Sequence, residues 1–251
     1  MIEMSGKTAL ITGSSRGIGK ACALMFADAG CNVVINYQRN EQAALEVQKA
    51  VEAKGVKGII VQADMRSKKD IESMVDIAVG EFGKIDYLIV NHGIWEYNPI
   101  DSMTDENLAK TIDTNLTGCF YLTRAVVPHM KREKFGSIVY ISSTAGQRGE
   151  SFHSPYAATK GALISLTKSL AGELADDNIR VNCVAPGWVV TDMSIDALNA
   201  DTEGKITEVI KLKRAAQPEE IAAPVLFIAS EMASFITGEI LNVNGGAVLC
   251  G

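Results

Sequence analysis

Histidine is scarce in this 251-residue chain, at positions 92, 129 and 153, and no two of the three stand at a metal-ligand spacing. Cysteine is little commoner. Its five residues (22, 31, 119, 183 and 250) are odd in number and contain no CxxC pair. That pattern argues against a disulfide framework or a zinc site and fits buried, reduced thiols in a cytoplasmic protein, so no metal is expected. Long apolar runs are missing too. The longest, Ile221 to Ala229, has nine residues and contains Pro224, whereas a helical span needs roughly 18, so no membrane is expected as a partner. Met1 to Lys7 shows no basic stretch followed by an apolar core, and no export signal is expected. Basic charge is not in excess: 24 Lys and Arg against 30 Asp and Glu leave a net charge of −6. Broad nucleic-acid binding is excluded on that footing, but a local basic pocket for one phosphate is not.

What is present is an ordinary globular balance, 47% hydrophobic and 22% charged, in a chain long enough to bury about 70–75% of its unfolded surface. Short β-rich runs alternate with longer amphipathic segments throughout. Thr8 to Ile11, Asn32 to Asn36, Gly58 to Val61, Ile85 to Val90, Ser137 to Ile141, Ile179 to Val184 and Glu239 to Val243 read as strands. Helices are predicted over 18–29, 41–54, 68–82, 105–130, 156–175 and 218–229. Such alternation implies an α/β fold: a Rossmann-type, doubly wound parallel sheet of about seven strands with helices on both faces, and a ligand site at the strands' carboxyl ends. No linker or repeat interrupts it, so residues 1–251 read as one domain. The segment of about 188–217 breaks the alternation and reads as a substrate lid.

After the first strand comes Thr12-Gly-Ser-Ser-Arg-Gly-Ile-Gly19, which opens directly into a helix. Gly13 suits the tight turn, Gly17 the close approach of a pyrophosphate and Gly19 close helix–strand packing. Ser15, Arg16 and Ile18 share this turn, where unpaired helix N–H groups and the helix dipole favour anionic oxygen. The Gly-x3-Gly-x-Gly spacing differs from the commoner Gly-x-Gly-x-x-Gly and lacks the Lys-Ser/Thr ending of an NTPase loop. NAD sites usually place an acid at the end of the second strand. Here Val33-Val-Ile-Asn36 continues into Tyr37-Gln38-Arg39 without one. Arg16 and Arg39 are either solvated or face a ribose phosphate, for which a guanidinium is the better partner. The second reading favours NADP(H) over NAD(H).

Tyr156 and Lys160, in Tyr156-Ala-Ala-Thr-Lys160, are four apart on a predicted helix and share a face. A nearby ammonium favours the phenolate and would lower a pKa that is near 10 in water. Ser143 ends the fifth strand at its carboxyl edge, where its hydroxyl can bond a substrate carbonyl. Each residue alone has a bland structural reading; beside the glycine turn they point to proton transfer.

These motifs, with Val184-Ala-Pro-Gly-Trp-Val-Val-Thr-Asp-Met193 and Asn242 to Gly246, make the chain resemble the short-chain dehydrogenase/reductase family over nearly its whole length. The resemblance implies that Tyr156 is the general acid/base, that Ser143 polarises the carbonyl, and that Lys160 binds nicotinamide ribose while lowering the tyrosine pKa. It implies that Asn115, in Asp113-Thr-Asn-Leu-Thr-Gly118, holds a relay water. Asp64 would contact adenine, Tyr37, Asn91 and Gly93 would lie among the cofactor contacts, and Pro186, Gly187 and Thr191 would close around nicotinamide. A homotetramer is expected, with helix 156–175 and its Gly161, Ala162 and Gly172 as one packing face. One departure stands at Asn91-His92-Gly93, where the family usually has alanine in place of His92. The imidazole is a packed core group, a cofactor contact or a substrate-side group.

The overall pattern is similar to 3-oxoacyl-[acyl-carrier-protein] reductases within the family, which implies reduction of a ketone, in a small-molecule or acyl-thioester substrate, to a secondary alcohol. Lys131 to Lys134 is either a docking patch for an acidic carrier protein or a solvated face. Trp95, Tyr97, Phe152, Trp188 and Met193 flank the expected site and suggest an apolar or flat substrate. The alternatives are a carbonyl reductase or alcohol dehydrogenase acting on a sugar, polyol, steroid or other ketone, and a catalytically silent dinucleotide-binding regulator.

Overall fold

The computed structural model describes residues 2–249, so Cys250 lies outside the described residues. Seven strands form one parallel sheet: β1 (Thr8–Ile11), β2 (Asn32–Tyr37), β3 (Gly58–Gln62), β4 (Tyr87–Val90), β5 (Gly136–Ile141), β6 (Ile179–Pro186) and β7 (Ile240–Val243). The helices in the first half are α1 (Gly17–Asp28), α2 (Glu41–Glu52), α3 (Lys68–Phe82), α4 (Asp105–Ile112) and α5 (Gly118–Glu133). In the second half are α6 (Thr144–Arg148), α7 (Ser154–Leu174), α8 (Ile195–Ala200), α9 (Lys205–Val209) and α10 (Pro218–Ala229). The spatial order β3-β2-β1-β4-β5-β6-β7 makes β1 and β4 neighbours out of sequence. The winding direction reverses between them, and a crevice opens at their carboxyl ends. The doubly wound architecture expected from the alternation is the one observed.

Both faces of the sheet are buried, which is why its strands read as unbroken apolar runs. Ala9, Ile11, Val33, Ile35, Ile89 and Val139 face one core with α1, α2 and α10. Leu10, Val34, Leu88, Val90, Ile138 and Tyr140 face the other, with α3, α5 and α7. Consecutive residues alternate between the two cores, as the period of a strand requires. Cys22, Cys31, Cys119 and Cys183 are free, buried thiols.

The stretch 105–130 is not the single helix its periodicity predicts. A five-residue π turn, Asp113–Thr117, separates α4 from α5. Gly118 follows it because any Cβ there would run into the Met65 carbonyl oxygen. Gly161 is likewise packed inside the chain, where a Cβ would stand 3.0 Å from the Gly146 carbonyl oxygen, whereas a Cβ at Gly172 would meet nothing. Residues 188–217 leave the sheet after β6 and carry α8 and α9. Their two ends are clasped by a parallel bridge between Val189 and Ala216: Val190 N–H donates to the Ala216 oxygen (2.8 Å) and Ala216 N–H to the Trp188 oxygen (2.9 Å).

Candidate active site and dinucleotide cradle

A cavity of about 750 Å³ occupies the carboxyl edge of the sheet over the crevice between β1 and β4. Of the residues singled out from sequence, Gly13, Ser15, Arg16, Gly17, Ile18, Tyr37, Arg39, Asp64, Asn91, Gly93, Ser143, Tyr156, Lys160, Pro186, Gly187 and Thr191 all line it. Gly19 and Asn115 sit behind the wall.

The turn after β1 fits an anionic diphosphate. Arg16 at the start of α1 makes no side-chain cap, and the first turn of the helix carries no acid, so nothing on that turn competes for the helix N–H groups. Gly17 takes φ +54, in the left-handed region that glycine enters without strain. A Cβ at Gly19 would collide with the Gly13 carbonyl oxygen and would stand 2.6 Å from Asn91 Nδ2. The turn is braced from both sides: Asn36 Oδ1 accepts from Gly13 N–H (3.0 Å), and Asn91 Nδ2 donates to the Thr12 oxygen (3.0 Å).

His92 is a packed core group. Its Nδ1 lies 2.8 Å from Thr12 Oγ1 and its Nε2 3.6 Å from Cys119 Sγ. Burial, reinforced by the Lys160 ammonium, pushes its pKa down to about 3, so the ring is neutral. Asp64 lines the cavity beside Arg66. Arg66 clamps its carboxylate with Nε and Nη2, at 3.1 and 2.6 Å, and holds its pKa down to about 2. Arg16 reaches Asp192 across the cavity mouth (3.2 Å), an exposed pair worth little in stability. Arg39 lines the cavity and enters no ion pair among the described residues.

Ser143, Tyr156 and Lys160 converge because β5 ends where α7 begins to pass. Ser143 caps α6, accepting from Ala145 N–H (3.1 Å), and acts on Tyr156, whose pKa it lowers. Ser142 Oγ donates to the Lys160 carbonyl (2.7 Å), and Lys160 Nζ donates to the Ile141 carbonyl (2.8 Å), so strand and helix are stitched at this point. Lys160 Nζ stands 5.8 Å from the ring centroid of Tyr156, and its own pKa is lowered by burial. Enclosure pushes the Tyr156 phenol up to about 12; Ser143 lowers it and the Glu150 charge raises it.

Asn115, fully buried in the π turn, clamps the loop after β4. Its Oδ1 accepts from Ile94 N–H (2.8 Å) and its Nδ2 donates to the Ile94 carbonyl (2.9 Å). A Cβ on Gly93 would lie 3.4 Å from both Asn115 Oδ1 and Lys160 Nζ, which shows how close these groups come.

Sequence reasoning missed Glu150, a loop residue that carries no spacing signal. It accepts from Trp95 Nε1 (3.2 Å) and lies 4.0 Å from His153 Nδ1. Lys131 and Lys134 are both held by Asp177 (3.0 and 2.5 Å). They lie at the end of α5, which leads into the amino end of β5, so the charged run sits at the sheet edge opposite the cavity. Among the described residues no group of three or more His, Cys, Asp or Glu could hold a metal, and no helix is long and apolar enough to cross a membrane.

Residues 13–248 match a family model described as enoyl-(acyl carrier protein) reductase. The chain is 40% identical over 240 residues to the 3-oxoacyl-[acyl-carrier-protein] reductase FabG of Staphylococcus epidermidis, covering 96% of this chain and 98% of the relative. It is also 40% identical over 250 residues to a 3-oxoacyl-[acyl-carrier-protein] reductase of Synechocystis, covering 99% and 100%. A crystal structure of a short-chain dehydrogenase/reductase of glucose/ribitol dehydrogenase type from Brucella melitensis superposes with a TM-score of 0.90 at 35% identity, over 99% of each chain.

Proposed function

The chain belongs to the short-chain dehydrogenase/reductase family and is an NAD(P)-dependent oxidoreductase of the ketone/alcohol class; on that premise we propose that it uses NADPH to reduce a 3-oxoacyl thioester to the 3-hydroxyacyl thioester. The observation that carries the reading is the convergence of the dinucleotide cradle with Ser143, Tyr156 and Lys160 in one cavity. The names of the relatives support the acyl-thioester substrate and its carrier-protein form.

The nicotinamide supplies the hydride when bound. The protein supplies the rest. Tyr156 gives its phenolic proton to the carbonyl oxygen as that oxygen gains charge, and Ser143 Oγ donates a second hydrogen bond to the same atom. Lys160, anchored on Ile141, holds a positive charge beside the phenol and presents donors to the ribose. Asn115 fixes the loop that carries Gly93 against Lys160 and stands where a relay water would be held. The α1 start and Gly13, Ser15, Gly17, Ile18 and Gly19 hold the diphosphate, with Tyr37, Asp64, Asn91, Gly93, Pro186, Gly187 and Thr191 along the rest of the dinucleotide. Arg16 and Arg39 face its ribose phosphate.

The whole chain acts as one catalytic domain, with 188–217 as a lid hinged at the Val189–Ala216 clasp. Gly172, open on α7, suits a homotetramer contact, and the cytoplasm is the compartment that fits the reduced thiols. Steady-state assays with both dinucleotides and acetoacetyl thioesters test the reading. Turnover with NADPH exceeding that with NADH is expected; oxidation of NADPH by sugar or steroid ketones alone would replace the thioester assignment. Arg39→Glu is expected to weaken NADPH by about tenfold or more while leaving NADH within a few-fold, as loss of a charge-assisted contact requires. Equal weakening of both would remove Arg39 from the phosphate site.

A further inference from the structure

The substrate half of the cavity contains a structure that the reductase chemistry does not by itself require. Trp95 and Trp188 both line the cavity that holds Ser143 and Tyr156. Their rings meet edge to face, with centroids 5.9 Å apart and planes at 88°, so they form two walls of a right-angled corner. His153 backs Trp95 in a parallel stack at 4.4 Å and 7°. Tyr97 meets His153 edge-on at 5.9 Å and 83° and stacks on Phe152 at 5.5 Å and 23°. Five rings therefore run without a break from beside Gly187 to the exposed rim.

The corner is held rigid. Trp95 is fixed at its edge by the Nε1 hydrogen bond to Glu150 (3.2 Å) and at one face by His153. Phe152 adopts φ +64, a conformation that costs a non-glycine residue energy, and its carbonyl accepts from Asn98 N–H (2.7 Å). Glu150, which holds Trp95, lines the same cavity as Tyr156 and Ser143.

Resting on the reductase reading above, we propose that Trp95 and Trp188 determine specificity, selecting 3-oxoacyl thioesters whose ketone carries a planar group, an aryl ring above all, over straight-chain ones. A flat ring set into two orthogonal indole walls stacks on one and meets the other edge-on, and each such contact strengthens binding by about 2- to 10-fold beyond buried area. A saturated chain has no such complement to rigid flat walls and must give up rotor freedom to lie against them. Trp95, Trp188, Ser143 and Tyr156 line one cavity, so a planar group seated in the corner shares that cavity with the reacting carbonyl.

The test is kcat/KM with NADPH for a matched pair, the benzoylacetyl and acetoacetyl thioesters of N-acetylcysteamine. Wild-type protein is expected to favour the benzoylacetyl compound by at least about fivefold. Trp95→Leu and Trp188→Leu are each expected to lower that ratio severalfold, and Trp95→Phe, which keeps a planar face, to restore most of it. A wild-type ratio near one, with acetoacetyl thioester reduced, overturns the selection and leaves the reductase reading standing, whatever the variants do. A ratio that survives both leucine substitutions overturns the assignment to these two residues. Absence of NADPH oxidation with either thioester overturns the reductase reading, and the selection with it.

Discussion

Tyr156 stands between opposing influences: enclosure raises its pKa to about 12, the Ser143 hydroxyl lowers it, and the Glu150 carboxylate raises it. Ketone reduction uses the protonated phenol, which persists throughout the neutral range, so this group places no acid or alkaline limit near pH 7. Alcohol oxidation uses the phenolate, whose population grows tenfold per pH unit below the pKa, so oxidation is expected to rise with pH. Glu150→Gln removes the like charge and should shift that rise to lower pH in a kcat/KM profile. An unmoved profile would separate Glu150 from the phenol. His92 gives a second prediction at this scale. Its folded pKa of about 3 lies below the unfolded value near 6.5, so only the unfolded chain takes up the proton between those values. Its stabilising contribution is complete above about pH 6.5 and is lost as pH falls toward 3, at about 1 kcal/mol per pH unit. Urea unfolding at pH 7 and pH 5 should therefore show a smaller acid loss for His92→Ala than for wild type, although the variant starts less stable. Equal acid losses would contradict a neutral buried ring.

The elements that hold these residues are in large part legible in sequence, and those that are not lack a residue-type signal. Fully buried strands such as Leu10 with Ile11 and Val34 with Ile35 declare themselves as apolar runs, and the glycine turn declares the helix that follows it. The π turn at 113–117 does not, because the apolar spacing passes through it unchanged; only Gly118, jammed against Met65, marks the place. The clasp between Val189 and Ala216 is silent for another reason: it pairs two residues far apart in sequence within a segment that has no period. Helix α6 is five residues long, too short for periodicity, yet it packs directly on the catalytic helix. A Cβ at Gly146 would stand 2.5 Å from the Lys160 carbonyl carbon, and neither backbone can yield without moving the lysine. Gly146→Ala is thus expected to cost about 1–3 kcal/mol in urea unfolding and to lower kcat together with it. Full activity in this variant would show that the α6–α7 contact does not set the position of Lys160.

Over the whole molecule, winding order decides what the charge count could not. A net charge of −6 says nothing of where positive groups lie, but the reversal between β1 and β4 brings Arg16 and Arg39 to the cavity and leaves the 131–134 run at the other edge, with Lys131 and Lys134 paired to Asp177. Sequence spacing placed Tyr156 and Lys160 on one helix face and Ser143 at a strand end. Burial was invisible to it, and burial is the largest influence pushing the phenol up. The aromatic corner was visible only as scattered rings at 95, 97, 152 and 188, since stacking depends on loops whose paths no local pattern records. The most direct measurement of the central claim is NADPH oxidation with acetoacetyl thioester by wild-type protein and Tyr156→Phe, with NADPH binding followed in parallel. The arrangement around Tyr156 predicts a fall in kcat of at least about 10²-fold in a variant that still binds NADPH. Turnover by Tyr156→Phe equal to that of wild type would contradict it.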